Sequence, residues 1–217
     1  MAEKAHRFIV LSILVIACFI GRFLTPPEQH TCEFQAANII FQRAADMFDQ
    51  SFAFASYGKQ IANGLRQLSE ELVRAGNSFK KMYRNGFYVF ETFQTEIETL
   101  FNILDSKMTD KSNFFKERTE RMLKVVKEFR THVRRTKSAM LDVDGRRNDL
   151  ETNIFAGMRE VQKFIKEEWR NSQTDIVIAK RESEVAVDVL KCFQSTGKKI
   201  DTILKILDEH ESNLLDV

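Results

Sequence analysis

No proline occurs anywhere between Glu28 and Val217. Sheet proteins draw on proline at their turns, and no stretch here sustains the period-two alternation of Val, Ile or Thr that a half-buried strand requires. Apolar residues instead recur at three- and four-residue steps, closer to a period of 3.5 than 3.6. Phe34, Ala37, Phe41, Ala44, Phe48 and Ser51 follow this rule, as do Leu65, Leu68, Leu72, Ala75, Phe79 and Met82. Phe90, Phe93, Ile97, Leu100 and Leu104 resume it past Gly86, as a stutter would. Met122, Val126, Phe129, Val133, Met140 and Val143 form a third seam, with Thr136 as its polar gap.

The last third holds one register from Ile165 through Trp169, Ser172, Ile176, Ala179, Ser183, Ala186, Leu190, Phe193, Gly197, Ile200 and Leu204 to Leu207. Read as one helix from 147 to 214, it would measure roughly 100 Å; the alternative is that Gly197, after Ser195-Thr196, ends one helix and begins another. Helix breaks are expected at Tyr57-Gly58, Ala75-Gly76-Asn77, Met108-Thr109-Asp110 and Asp144-Gly145. Asp110 or Ser112 is a candidate cap for the third of these, and Asp149 for the fourth. The expected fold is all-α: an elongated antiparallel helical bundle or coiled coil of about four or five long helices. The core seam is represented by Phe34, Phe41, Phe48, Trp169, Leu190 and Leu204.

Ahead of this body, residues 8–21 carry no charge and follow a short head with Lys4 and Arg7. The run is short for a membrane span and suits the apolar region of a signal peptide. Val15-x-Ala17 offers small-residue cleavage geometry, whereas cleavage after Gly21 leaves Phe19 at the third position back. An uncleaved anchor is the second reading, because Phe23 and Leu24 lengthen the run while Arg22 snorkels. Val-Ile-Ala-Cys18 also matches a lipoprotein box, although Phe19 and Ile20 are unlike its usual polar tether. The organisation expected is a signal or anchor at 1–21, a linker at 22–31 and a helical domain at 32–217. The location expected is secreted or luminal, or alternatively single-pass membrane anchored by residues 8–24.

Charge is distributed unevenly, although the net formal charge is only +2. Residues 85–106 contain no Lys or Arg, while 116–137 are rich in both. A hairpin near Thr109-Asp110 would lay the acidic stretch beside the basic one and select their register. Lys116, Lys124, Lys127 and Arg134 form a candidate basic face opposite Met122, Phe129 and Val133, suited to an anionic membrane or an acidic partner. The near-neutral total argues against nucleic acid as partner.

Sites of chemistry are sparse in the text. The cysteines are Cys18, Cys32 and Cys192, and in an oxidising compartment Cys32 and Cys192 are candidates for a disulfide. His6, His30, His132 and His210 show no metal-binding spacing. Asp142-Val-Asp144-Gly145 lacks the later ligands of a calcium loop. No phosphate-binding, nucleophile-elbow or zinc-protease motif occurs. The expectation is therefore a non-enzymatic scaffold or interaction module, without cofactor or small-molecule substrate, meeting a protein partner or further copies of itself through helix contacts. The alternative expectation is a membrane-active or lipid-binding bundle, a carrier or pore-former. A compact cytokine-like ligand ranks third, since so long a register exceeds the helices of such bundles.

Overall fold

The computed structural model describes residues 27–104, 111–167 and 172–214. The apolar segment 8–24, Asp110 and Trp169 lie outside them, and so does the side chain of Cys32. Among the described residues the fold is all-helical, with four helices: α1 (Pro27–Gln50), α2 (Gly58–Leu104), α3 (Lys111–Lys166) and α4 (Gln173–Asn213). They fall into two compact units.

The helix ends explain where the sequence reading holds and where it fails. Pro27 opens α1 inside the stretch expected to be a linker. Its fixed φ suits a first helical turn, and the N–H it lacks would have been unpaired there anyway. The break at Gly58 forms as expected. Ser51 Oγ accepts the Phe54 amide at 3.0 Å, and the Gly58 amide reaches the Phe54 carbonyl at 2.6 Å. Glycine is needed at 58 for space rather than for φ: a Cβ there would collide with the Phe48 carbonyl oxygen, and no described glycine has positive φ.

No break forms at Ala75-Asn77 or Asp144-Gly145, and both expectations are corrected. Ala75 is fully buried between Leu72 and Met82, so the apolar seam runs through the small residues. At 144–145 the Asp144 carboxylate is engaged by side chains. Arg147 donates to it at 2.7 Å and Asn148 at 3.3 Å, while Arg147 also reaches Glu151. With these i,i+3 and i,i+4 ties, and with Val143 and Leu150 buried on either side, the helix continues. Asp149 accordingly lies inside α3 rather than at a cap.

The continuous 147–214 helix is likewise overturned. α3 ends at Lys166, and α4 starts behind Ser172, whose Oγ accepts the Asp175 amide at 3.2 Å. Ser172 is exposed and acts as an N-cap, not as a seam residue. Gly197 lies within α4 and does not interrupt it.

The larger unit comprises residues 30–77 and 137–208. Its four helical segments are neighbours in a ring. α1 meets α2 where Gln42 donates to Ser69 and Ser69 to Asn38, and where Arg66 reaches Asp46 and Asp49 at 3.2 Å. α2 meets α3 through Arg146 on Glu71 at 2.8 Å and through Gly64 packed on Leu150. α3 meets α4 at Lys137–Asp208 and at Arg147 beside Gly197. α4 returns to α1 with Phe193 edge-on to Phe41, ring centroids 5.3 Å apart, and Ser51, just past the end of α1, donates to Glu182. In every pairing, residues advancing on one helix meet residues receding on the next, so neighbours are antiparallel. Phe41, Phe48, Phe54, Ile61, Leu65, Ile154 and Phe193 fill the centre. Burying each of these large side chains is favourable by about 1.5–3 kcal/mol.

The smaller unit holds the described residues 27–29, 78–104, 111–136 and 209–214. Here α2 and α3 form an antiparallel pair. Thr136 Oγ1 donates to the Ser78 carbonyl at 3.2 Å, and farther along Arg118 reaches Glu96. Met82, Leu100, Val125, Val126, Phe129 and Val133 are buried between them, and the end of α4 adds His210 and Leu214.

Candidate functional site

The smaller unit has two long helical segments among its described residues, where the larger one has four, and its α2 carries more apolar surface than α3 covers. The inner side of α2 is occupied: Met82, Glu96 and Leu100 are buried. On a neighbouring stripe stand Phe87, Phe90, Gln94, Ile97 and Phe101, separated by steps of three and four. This is a heptad seam of its own, with Gln94 as a polar member. Phe87 is 59% exposed and Phe101 46%, while Phe90 and Ile97 are half-buried. Gln94 is exposed and donates along the helix to Glu98 at 3.1 Å. The sequence reading set Phe90 and Phe93 on a core seam; both are half-buried, while Phe87 three residues before Phe90 faces outward.

The flank of the pair away from this seam is closed by charge. Glu96, its side chain only 4% exposed, accepts from Arg118 at 2.9 Å and from Arg121 at 3.2 Å. Arg118 also lies over the Phe114 ring, 4.8 Å from its centroid. The expected juxtaposition of acidic and basic stretches is thus realised at one buried carboxylate, which fixes the level of α2 against α3. His132, on the same flank, has its pKa lowered by burial and then by the nearby Lys81 and Arg135.

Helical phase places Lys116, Leu123 and Lys127 on the other flank of α3, the side of the exposed seam. Lys116, Lys124 and Lys127 are exposed, and among the described residues no carboxylate stands within ion-pair range of them. Glu120, Leu123, Lys124, Lys127, Glu128 and Thr131 line a shallow, open depression on the outer face of this one helix. Arg134, the fourth member of the basic face, is exposed but held by Glu211 at 2.7 Å.

Phe34, Phe41, Phe48 and Leu190 are buried, and Leu204 is half-buried beside a fully buried Ile203. Cys192 carries a free, half-buried thiol whose pKa is raised by burial, although Thr196 and Lys199 oppose the shift. Among the described residues no group of three or more His, Cys, Asp or Glu is placed to hold a metal. Among them, too, no helix is long and apolar enough to cross a membrane. Comparison with family models, curated proteins and solved structures finds no match to this chain.

Proposed function

We propose that the protein is a non-enzymatic helix–helix interaction module, exported or anchored by residues 8–24, that docks through the outer seam of α2. One observation carries this reading: Phe87 and Phe101 stand exposed in a heptad seam on a helix whose inner side is already packed. Exposed aromatics in register are the usual anchors of a helical interface. In this reading the Cys32–Cys192 bridge forms after export, and comparing masses after alkylation with and without reduction tests it.

The experiment is photo-crosslinking in a secreting host with a Phe101→benzoylphenylalanine full chain. A protein adduct is expected. The absence of any protein adduct overturns the reading.

The membrane-active alternative draws support from the exposed Lys116, Lys124 and Lys127. It requires salt-sensitive binding to anionic vesicles, and that binding should vanish when Lys124, Lys127 and Arg134 are reversed in charge. Lipid adducts from position 101 would favour it over the leading reading.

A further inference from the structure

Resting on the interaction reading above, we infer that the partner of the α2 seam is a second copy of this chain, with each α2 seated on the other copy's α3. The inference comes from charge and level. In the heptad that begins at Phe87, Glu91 and Glu98 occupy equivalent edge positions, and residues 85–106 contain no Lys or Arg. Two α2 seams placed together would therefore set Glu against Glu or leave it facing apolar side chains. Like charges at those positions select against that pairing. The seam needs a basic edge opposite it.

α3 offers exposed Lys116, Lys124 and Lys127 at the right height, with Glu120 and Glu128 standing among them level with Gln94 and Phe87 rather than with Glu91 or Glu98. Glu96 contacts Arg118 and Arg121, so it fixes which residues of the antiparallel α3 stand level with each residue of α2. Going back to Glu91 on α2 moves forward on α3 to about Lys124 and Lys127. Going on to Glu98 moves back to about Lys116. Phe87 comes level with about Lys127 and Glu128.

A two-fold axis parallel to the helices preserves these levels while exchanging left for right. Each α2 then faces the α3 of the other copy. Glu91 meets Lys124 and Lys127, Glu98 meets Lys116, and Phe87 comes beside Leu123 and the Lys127 stem. Glu91, Glu98, Lys116, Lys124 and Lys127 are exposed and so available for this. The helix pair, which has a buried interior on one side alone, becomes a four-helix arrangement with its aromatic seam covered.

The test is light scattering on the purified full chain, followed by charge reversal. The wild type should have a mass near twice 25.3 kDa. Glu91→Lys with Glu98→Lys should weaken the dimer at least about tenfold. Adding Lys116→Glu and Lys127→Glu to that pair should restore it, an outcome that general damage to the fold would not produce. In the full chain with Phe87→benzoylphenylalanine, the crosslink should map to residues 120–131 of another molecule.

A monomeric wild type overturns the inference, as does a dimer indifferent to the reversals. A crosslink from position 87 into residues 8–24 of the same molecule also overturns it, assigning the seam to the chain's own N-terminal segment. A monomer that still forms adducts with an unrelated protein would sink the second copy and leave the interaction reading standing. A chain that forms no protein adduct at all would sink both.

Discussion

Glu96 Oε2 accepts a hydrogen bond from Arg118 Nη1 at 2.9 Å while Arg121 occupies its other oxygen, and almost none of the carboxylate is open to water. A buried carboxylate between two cations is costly to disturb from its own side, because removing it leaves guanidinium groups without the charge they were desolvated to meet. Replacing Glu96 with Gln should cost about 3 kcal/mol of stability in urea unfolding. Arg121 is half exposed and also has Glu117 within reach, so Arg121→Ala should cost about 1 kcal/mol or less. Equal losses for the two variants would contradict the assignment of Glu96 as the buried centre of the cluster.

Two glycines of α3 should respond in opposite directions. A Cβ on Gly145 meets nothing within 4 Å, and the residue sits mid-helix. Gly145→Ala should therefore stabilise the protein by about 0.5–1 kcal/mol. A Cβ on Gly157 would lie 2.6 Å from a Phe54 ring carbon, and Phe54 is fully buried. Gly157→Ala should destabilise by about 1–3 kcal/mol. Thermal unfolding of the two variants side by side checks both signs.

His132 should give the smaller unit a sensitivity to acid. Its folded pKa lies below the ordinary 6.5, first through burial and then through Lys81 and Arg135, with Glu128 opposing. The unfolded chain takes up this proton first as pH falls. The contribution to stability is therefore whole above about 6.5 and is lost as pH drops through the lower folded value. The urea midpoint should fall between about pH 7.5 and about pH 5.5, and fall less in His132→Gln. An identical drop in the variant would remove His132 from the account.

Cys192 should be a slow thiol in the reduced chain. Burial raises its pKa, so little thiolate exists at neutral pH. Labelling by a thiol reagent under native conditions should be slower than in urea and should accelerate as pH rises. Equal rates in buffer and urea would show that the side chain is not sheltered.

The core of the larger unit was largely legible in the sequence, because every helix there packs one dominant seam. Phe34, Phe41, Phe48, Leu65, Leu72, Ile176 and Phe193 were named from spacing and are buried. Helix ends were harder. Asp144-Gly145 has break-forming residues, but nothing in their identity shows that Arg147 and Asn148 will occupy the Asp144 carboxylate. Ser172 fell on a seam position, and that periodicity masked a capping signal completed by Asp175 three residues on.

The candidate site was misread for a related reason. Residues 87–101 carry two interleaved seams, and a single-period reading merges them into one core. What separates them is packing against a specific neighbour, set by Glu96 and its two arginines, and spacing alone does not report it. The signal that could have found it was the strict heptad from Phe87 through Gln94 to Phe101.

In the proposed reading, α2 of the smaller unit has an inner seam for its own chain and an outer one for a partner. The direct measurement is helical content by circular dichroism together with mass by light scattering for Phe87→Glu combined with Phe101→Glu. Retained helix at 25 °C with loss of assembly is the expected result, since both side chains face outward. Loss of helix in a protein whose mass is unchanged from wild type would show that the two rings belong to the core, and would contradict the claim.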